Sequence, residues 1–261
     1  CDAVTDREDS QKTLTTLERN NLFLFALDDE RGWYRYHHLF GDALRNTLNN
    51  DHPDMLSILH QRASHWYAKH DQPQDAIRHA LLAGDYEHAA NLIEALWPVM
   101  QDIYQHDAWF EWASQIPEAL VLKRPILCLG YGWVQLMRGA TDSAEIWFDR
   151  AEYWLTASDD AMQTSVVVDE GEFAELAASL YHARGYLALT LGDIPAAIRL
   201  IEEQQQDNHH RHHVNYTQGA VLKSLIYIAN GDLQKADTII SDFIAYKQAA
   251  KKLMDATEMV F

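Results

Sequence analysis

Along most of the chain, apolar positions recur three or four residues apart, the spacing of one face of an α-helix. Residues 22–36 break that rhythm. Leu22, Phe23, Leu24, Phe25, Ala26 and Leu27 form an apolar run, residues 28–32 read Asp-Asp-Glu-Arg-Gly, and Trp33, Tyr34, Arg35 and Tyr36 form an aromatic run. Two strand-forming stretches around a polar, glycine-containing turn predict a β-hairpin. Leu39, Phe40, Leu44 and Leu48 then return to helical spacing. Ahead of the hairpin, residues 1–20 predict the end of one helix, a break at residues 5–9 and a second helix. Asp9 or Ser10 is its N-cap, and Leu14 and Leu17 lie on its apolar stripe.

The polar stretch at residues 49–53, ending in Pro53, predicts a break, and only helices follow it. Met55, Leu59, Ala63 and Trp66 with Tyr67 share one helical face, and Asp71-Gln72-Pro73 ends that helix and starts another. Four segments then repeat one pattern, at residues 81–93, 136–148, 189–201 and 228–240. Each has a glycine between two helical runs: Gly84, Gly139, Gly192 and Gly231. Five residues on stand Ala89, Ala144, Ala197 and Ala236; nine on stand Ile93, Phe148, Ile201 and Ile240. Seven back, the later three have Gly132, Gly185 and Ser224.

The pattern is that of a packed helical hairpin. Glycine permits the left-handed backbone that ends a helix. The small residue before it lets the paired helix approach, the alanine marks the crossing, and the bulky residue fills the groove. Tetratricopeptide-like repeats follow this logic. The glycines lie 55, 53 and 39 residues apart, more than the roughly 34 of the consensus repeat, which predicts irregular units with longer connections, one of them at residues 156–172.

Charge and composition narrow the function. The chain has 39 Asp and Glu against 21 Lys and Arg, a net charge of −18. That sign disfavours a surface for nucleic acid or anionic lipid. Cys1 and Cys128 cannot build a disulfide framework and fit a reducing cytoplasm. No apolar run nears the roughly 18 residues of a membrane span. No Ser/His/Asp or Cys/His arrangement recurs at catalytic spacing, so the expectation is a protein without enzymatic activity. A start at Cys1 without Met suggests a piece of something larger.

Helix, hairpin, helix is the order of the latter part of a winged-helix domain, with the hairpin as its wing. At WYRYHHLF (residues 33–40), preceded by LERNNLFLFALDDERG (17–32), the sequence resembles the MalT-like subfamily of LuxR-type transcriptional regulators. The resemblance continues through RASHWYAKHDQPQDAIRHALLAGDYEHAANLIE (62–94) and WASQIPEALVLKRPILCLGYGWVQLMRG (112–139), and thins after about residue 172. Gly32 stands where the family usually has a second basic residue, and Phe25-Ala26 where it more often has Val-Pro. The resemblance implies a signal-transduction ATPase with a winged helix, a helical sensor and a C-terminal DNA-binding module. This sequence contains no GxxxxGK[ST] phosphate loop. It is therefore expected to hold the sensor without the ATPase. ATP or ADP would belong to the parent protein, with no cofactor in this segment, and DNA would be reached only through the absent domain.

In related switch ATPases of the immune-receptor type, a Met-His-Asp-Leu motif at the same strand-to-helix junction senses the β-phosphate of ADP. Aligned with it, His37 takes the His place and His38 the Asp place. The plainer alternative is a pair of helix-start residues satisfied by local hydrogen bonds. If the first helix of each hairpin lines a concave groove, Leu129, Trp133, Tyr181, His182, Tyr186, Gln218, Val221 and Leu225 are candidates to contact an inducer such as a sugar, or a regulatory protein. The histidines of tract 208–213 suggest a metal site, but a solvated connection is the stronger expectation. His60, His65, His70 and His79, scattered on helical faces, are expected to be ordinary surface or core histidines.

The expected fold is mostly α: a short winged-helix hairpin followed by an α-α superhelix of TPR-like hairpins. The expected domains are residues 1–50 (winged helix), 51–105 (connecting hairpins) and 106–261 (an incomplete sensor). The expected function is the regulatory segment of a transcriptional activator. The alternative is a helical-repeat scaffold that binds proteins without any nucleotide link. Apolar residues near the end (Leu253, Met254, Met259, Val260 and Phe261) predict self-association or a loosely packed tail.

Overall fold

A computed structural model describes residues 1–102, 105–206 and 213–258, with side chains for all of these except 53, 101–102, 159, 204–206, 213–218 and 250–258. Among these residues the fold is mostly α with one two-stranded antiparallel hairpin. The chain divides into two compact units: Cys1–Leu96 with Ser114–Ile116, and Trp97–Ala113 with Pro117–Phe261.

The first unit begins with helices α1 (Asp2–Thr5) and α2 (Ser10–Arg19), separated by the expected break. Asp9 is the N-cap residue of α2, although its side chain makes no capping bond. Strands β1 (Leu24–Ala26) and β2 (Tyr34–Tyr36) pair Leu24 with Tyr36, Phe25 with Arg35 and Ala26 with Tyr34. They are shorter than the apolar runs because Phe23 adopts a left-handed backbone, at φ 55°, just ahead of β1. At the other end Asp28 gathers the turn, accepting hydrogen bonds from the amides of Gly32 (3.2 Å) and Trp33 (3.1 Å). Helix α3 (His38–Asp51) follows, and α4 (Pro53–Lys69) starts after one intervening residue, His52. The expected five-residue break is thus a sharp corner, with Pro53 in the first turn of α4, where its missing amide costs nothing. Helix α5 (Pro73–Ala83) packs on α4 through small residues: Ala63 and Ser64 face Ala76, Ile77 and Ala80, and the Ser64 hydroxyl donates to the Ala76 carbonyl at 2.7 Å. Helix α6 (Tyr86–Asp102) runs across the boundary between the units and carries Pro98 in its interior.

In the second unit, α7 (His106–Ala113) and α8 (Glu118–Val121) precede α9 (Pro125–Met137) and α10 (Thr141–Thr156). The long connection carries two short helices, α11 (Asp159–Met162) and α12 (Glu170–Ala174), the latter capped by the Asp169 carboxylate. Two hairpins complete the unit: α13 (Leu176–Leu191) with α14 (Ile194–Gln206), and α15 (His213–Ala229) with α16 (Leu233–Glu258).

The repeat glycines behave alike. Gly84, Gly139, Gly192 and Gly231 have φ between 71° and 80°. Each donates its amide three residues back, and the following amide donates five residues back, at 2.9 to 3.1 Å. This double bond pattern satisfies carbonyls that a helix end otherwise leaves open. In three of the four, the next residue is aspartate, and its carboxylate caps the following helix: Asp85 to His88, Asp193 to Ala196 and Asp232 to Lys235. Ala89, Ala144, Ala197 and Ala236 are all buried at the crossings, with Ile93, Phe148 and Ile201 beside them.

Two details depart from the expected pattern. Gly132 does admit its own hairpin partner, since a methyl there would overlap the Phe148 ring. Gly185 instead admits Leu222 of the next hairpin, 2.8 Å from where a Cβ would stand. Ile240 fills no groove and is 40% exposed, unlike Phe148 and Ile201 at the same place in their hairpins. The side chains of the apolar tail from Leu253 to Phe261 lie outside the described residues, as do residues 207–212, which hold most of the histidine tract.

Candidate functional site

The strand-to-helix junction places His37 and His38 together. His37 is the N-cap residue of α3, with its backbone anchored on both sides. Its amide donates to the Phe23 carbonyl at 2.7 Å and its carbonyl accepts from Gly41 at 2.9 Å. Neither imidazole caps the helix; both are exposed, with ring centroids 4.4 Å apart. The backbone is therefore held while the rings stay open to a ligand. Below them Phe40 packs on Phe23 and Tyr36, with centroids 5.2 and 5.7 Å apart. An open groove of ≈ 770 Å³ runs beside them, lined by Tyr34, Arg35, Tyr36, both histidines, Leu44, Arg45 and Leu48 among others.

The inducer-contact candidates are split by burial. Leu129, Trp133 and His182 are buried between helices, Tyr181 and Tyr186 are half-buried, and Val221 and Leu225 are exposed. Trp133 of α9 meets Tyr186 of α13 edge-on at 5.4 Å. His182 is 2% exposed and lies against Gly219, where a Cβ would stand 2.9 Å from Nε2. Neither ring nitrogen makes a hydrogen bond of good geometry, although the Ala178 carbonyl lies close enough to act on the ring, and the Trp133 indole nitrogen has no hydrogen-bond partner among the described residues. Burial and the nearby positive charge of Lys223 lower the His182 pKa to about 4, opposed by the Ala178 carbonyl. Tyr181, Tyr186, Val221 and Leu225 keep exposed surface, whereas these polar atoms have essentially none. The Gln218 side chain lies outside the described residues.

A group of histidines in α4, α5 and α6 stands out only in three dimensions. His60 and His79 bring their Nδ1 atoms to 2.7 Å, so one ring must donate and the other accept. His65 stacks on His88 at 4.4 Å and Tyr67 on His79 at 5.4 Å. Desolvation lowers the pKa of His60, His79 and His88; Arg78 adds to it at the first two and His65 at the third. Sequence spacing relates residues within a helix, so it could not show that residues 19 or 23 positions apart would meet. No group of three or more potential metal ligands occurs among the described residues.

Comparison with known proteins supports the N-terminal assignment. Residues 1–56 match the family model of the MalT winged helix domain. Over 146 residues the chain is 29% identical to the serine/threonine-protein kinase PknK of Mycobacterium tuberculosis, and equally to that of Mycobacterium bovis. Each match covers 53% of this chain and 13% of the relative, so the chain spans a small part of those proteins. No solved structure matches it.

Proposed function

We propose that this chain is the sensor segment of a LuxR-type, MalT-like transcriptional activator. The helical hairpins bind an inducer such as a sugar, or a regulatory protein, and the winged helix relays the event to an ATPase domain outside the segment. The observation that carries this reading is the match of residues 1–56 to the MalT winged helix, followed in the same chain by four hairpins of one design. A helical scaffold alone has no need of the wing block. The inducer supplies switching energy through its different affinity for two domain arrangements.

In this reading His37 donates to the β-phosphate of ADP held in the absent domain, a charge-assisted bond that favours the resting arrangement. Its exposed ring on a fixed backbone suits that role. His38 is the second candidate there. The segment performs no chemistry of its own and holds no cofactor; ATP or ADP and DNA belong to other domains of the parent. Similarity to part of a protein named as a kinase fits a regulatory segment that different effectors carry.

Thermal shift of the chain against sugars, short peptides and aromatic acids tests the sensor reading. A true inducer at a hundred times its dissociation constant adds about 2.7 kcal/mol. Stabilisation by peptides alone supports the scaffold instead.

A further inference from the structure

The free edge of β2 offers a second kind of site, in a groove that also includes His37 and His38. In an antiparallel pair, alternate residues turn their backbone groups toward the partner strand and away from it. The Leu27 amide donates to Trp33 at 2.8 Å and the His37 amide to Phe23 at 2.7 Å. With Phe25 opposite Arg35, residues 33, 35 and 37 therefore face β1. Tyr34 and Tyr36 turn their N–H and C=O groups outward. The sheet has only these two strands among the described residues, so that edge is unpaired. It forms one wall of the groove, and Gly41, Leu44, Arg45 and Leu48 of α3 form the other.

The lining gives the chemistry of the occupant. Arg35 and Arg45, with His37 and His38, line the groove, and no carboxylate does, on a chain of net charge −18. Arg45 pairs with Asp42, whereas Arg35 has no ion-pair partner among the described residues. Leu44, Leu48, Phe25 and Tyr36 supply apolar surface. A second copy fits poorly, because antiparallel pairing of two β2 strands about their centre sets Arg35 against Arg35.

We propose that β2 takes up an extended peptide of a partner protein as a third strand, with acidic residues alternating with apolar ones. Backbone bonds to Tyr34 and Tyr36 supply the pairing, as in other cases of strand addition. The period of two sends acidic side chains toward Arg35 and apolar ones toward Leu44 and Leu48.

The test titrates the whole chain, without nucleotide or inducer, into a fluorescein-labelled (Glu-Val)4 peptide and follows anisotropy. Saturable binding is expected, with a matched (Lys-Val)4 peptide at least tenfold weaker. Tyr36→Pro removes an outward donor and no β1–β2 bond, so it should weaken binding at least tenfold, as should Arg35→Glu. Exchange of the Tyr34 and Tyr36 amides in the wild-type chain should slow on adding the peptide, a readout that does not depend on any variant folding. Absence of binding, unchanged exchange at those two amides, or a concentration-dependent dimer that protects them without peptide would overturn the proposal.

Discussion

The β1–β2 hairpin and helix α9 are both rich in apolar and aromatic residues, and they treat them in opposite ways. Eleven of the thirteen residues of α9 are buried, under α7, α8, α10, α12 and α13. In the two strands Leu24 alone is buried, while Phe25 and Trp33 beside it are 55% and 56% exposed. Apolar content therefore means different things in the two places. In α9 it is the cohesion of the repeats; in the wing it is surface available for contact.

The sharpest way to break that comparison is truncation on each side. Phe148→Ala empties the site against Gly132 and should cost about 3–5 kcal/mol by urea denaturation. Trp33→Ala should change stability by less than about 0.5 kcal/mol. Equal losses would mean that the wing also carries the core.

Acid probes the buried side next. The folded His182 pKa of about 4 lies below the ordinary value of 6.5. A depressed histidine pKa stabilises the fold above pH 6.5, and that contribution is lost as pH falls through 6.5 toward 4. A shift of that size is worth about 3 kcal/mol. Stability measured from pH 7 to pH 4 should fall more steeply in the wild type than in His182→Gln by about that amount. The His60, His79 and His88 shifts have the same sign and add to the acid sensitivity of both proteins. Parallel curves would mean that the His182 ring reaches solvent.

Smaller again is overpacking at the crossings. Ala144→Leu and Ala197→Leu should each cost about 1–3 kcal/mol in thermal melts. Ile240→Ala, at an exposed position, should cost less than Ile201→Ala. A reversed order would place the fourth hairpin inside a tighter core than the first three.

The hairpin, the glycine ends and the alanine crossings were legible in the sequence because each is a local requirement with a local signature. The capping carboxylates after three of the glycines, Asp85, Asp193 and Asp232, came from the structure, although their residue type suits the start of a helix. What stayed hidden depends on neighbours from other elements. Ile240 has the same local pattern as Ile201, and only the packing of the next helix distinguishes them. Gly185 serves Leu222 of α15 rather than its own partner, a choice made by how hairpins stack. His182 looked like a groove residue because helical period gives direction along one helix and says nothing of what covers it. His37 was legible as a junction residue, and its exposed ring on an anchored backbone came from the structure.

The most direct test of the sensor account substitutes His37 in the longer protein and in this chain together. Removing a charge-assisted bond of about 1.5–3 kcal/mol should shift the resting balance by about tenfold to a hundredfold. The longer protein carrying His37→Ala should then activate transcription with less inducer or none, while the chain alone melts with the wild type. A chain that unfolds several degrees early, in a longer protein whose inducer dependence is unchanged, would make His37 a structural residue and contradict the account.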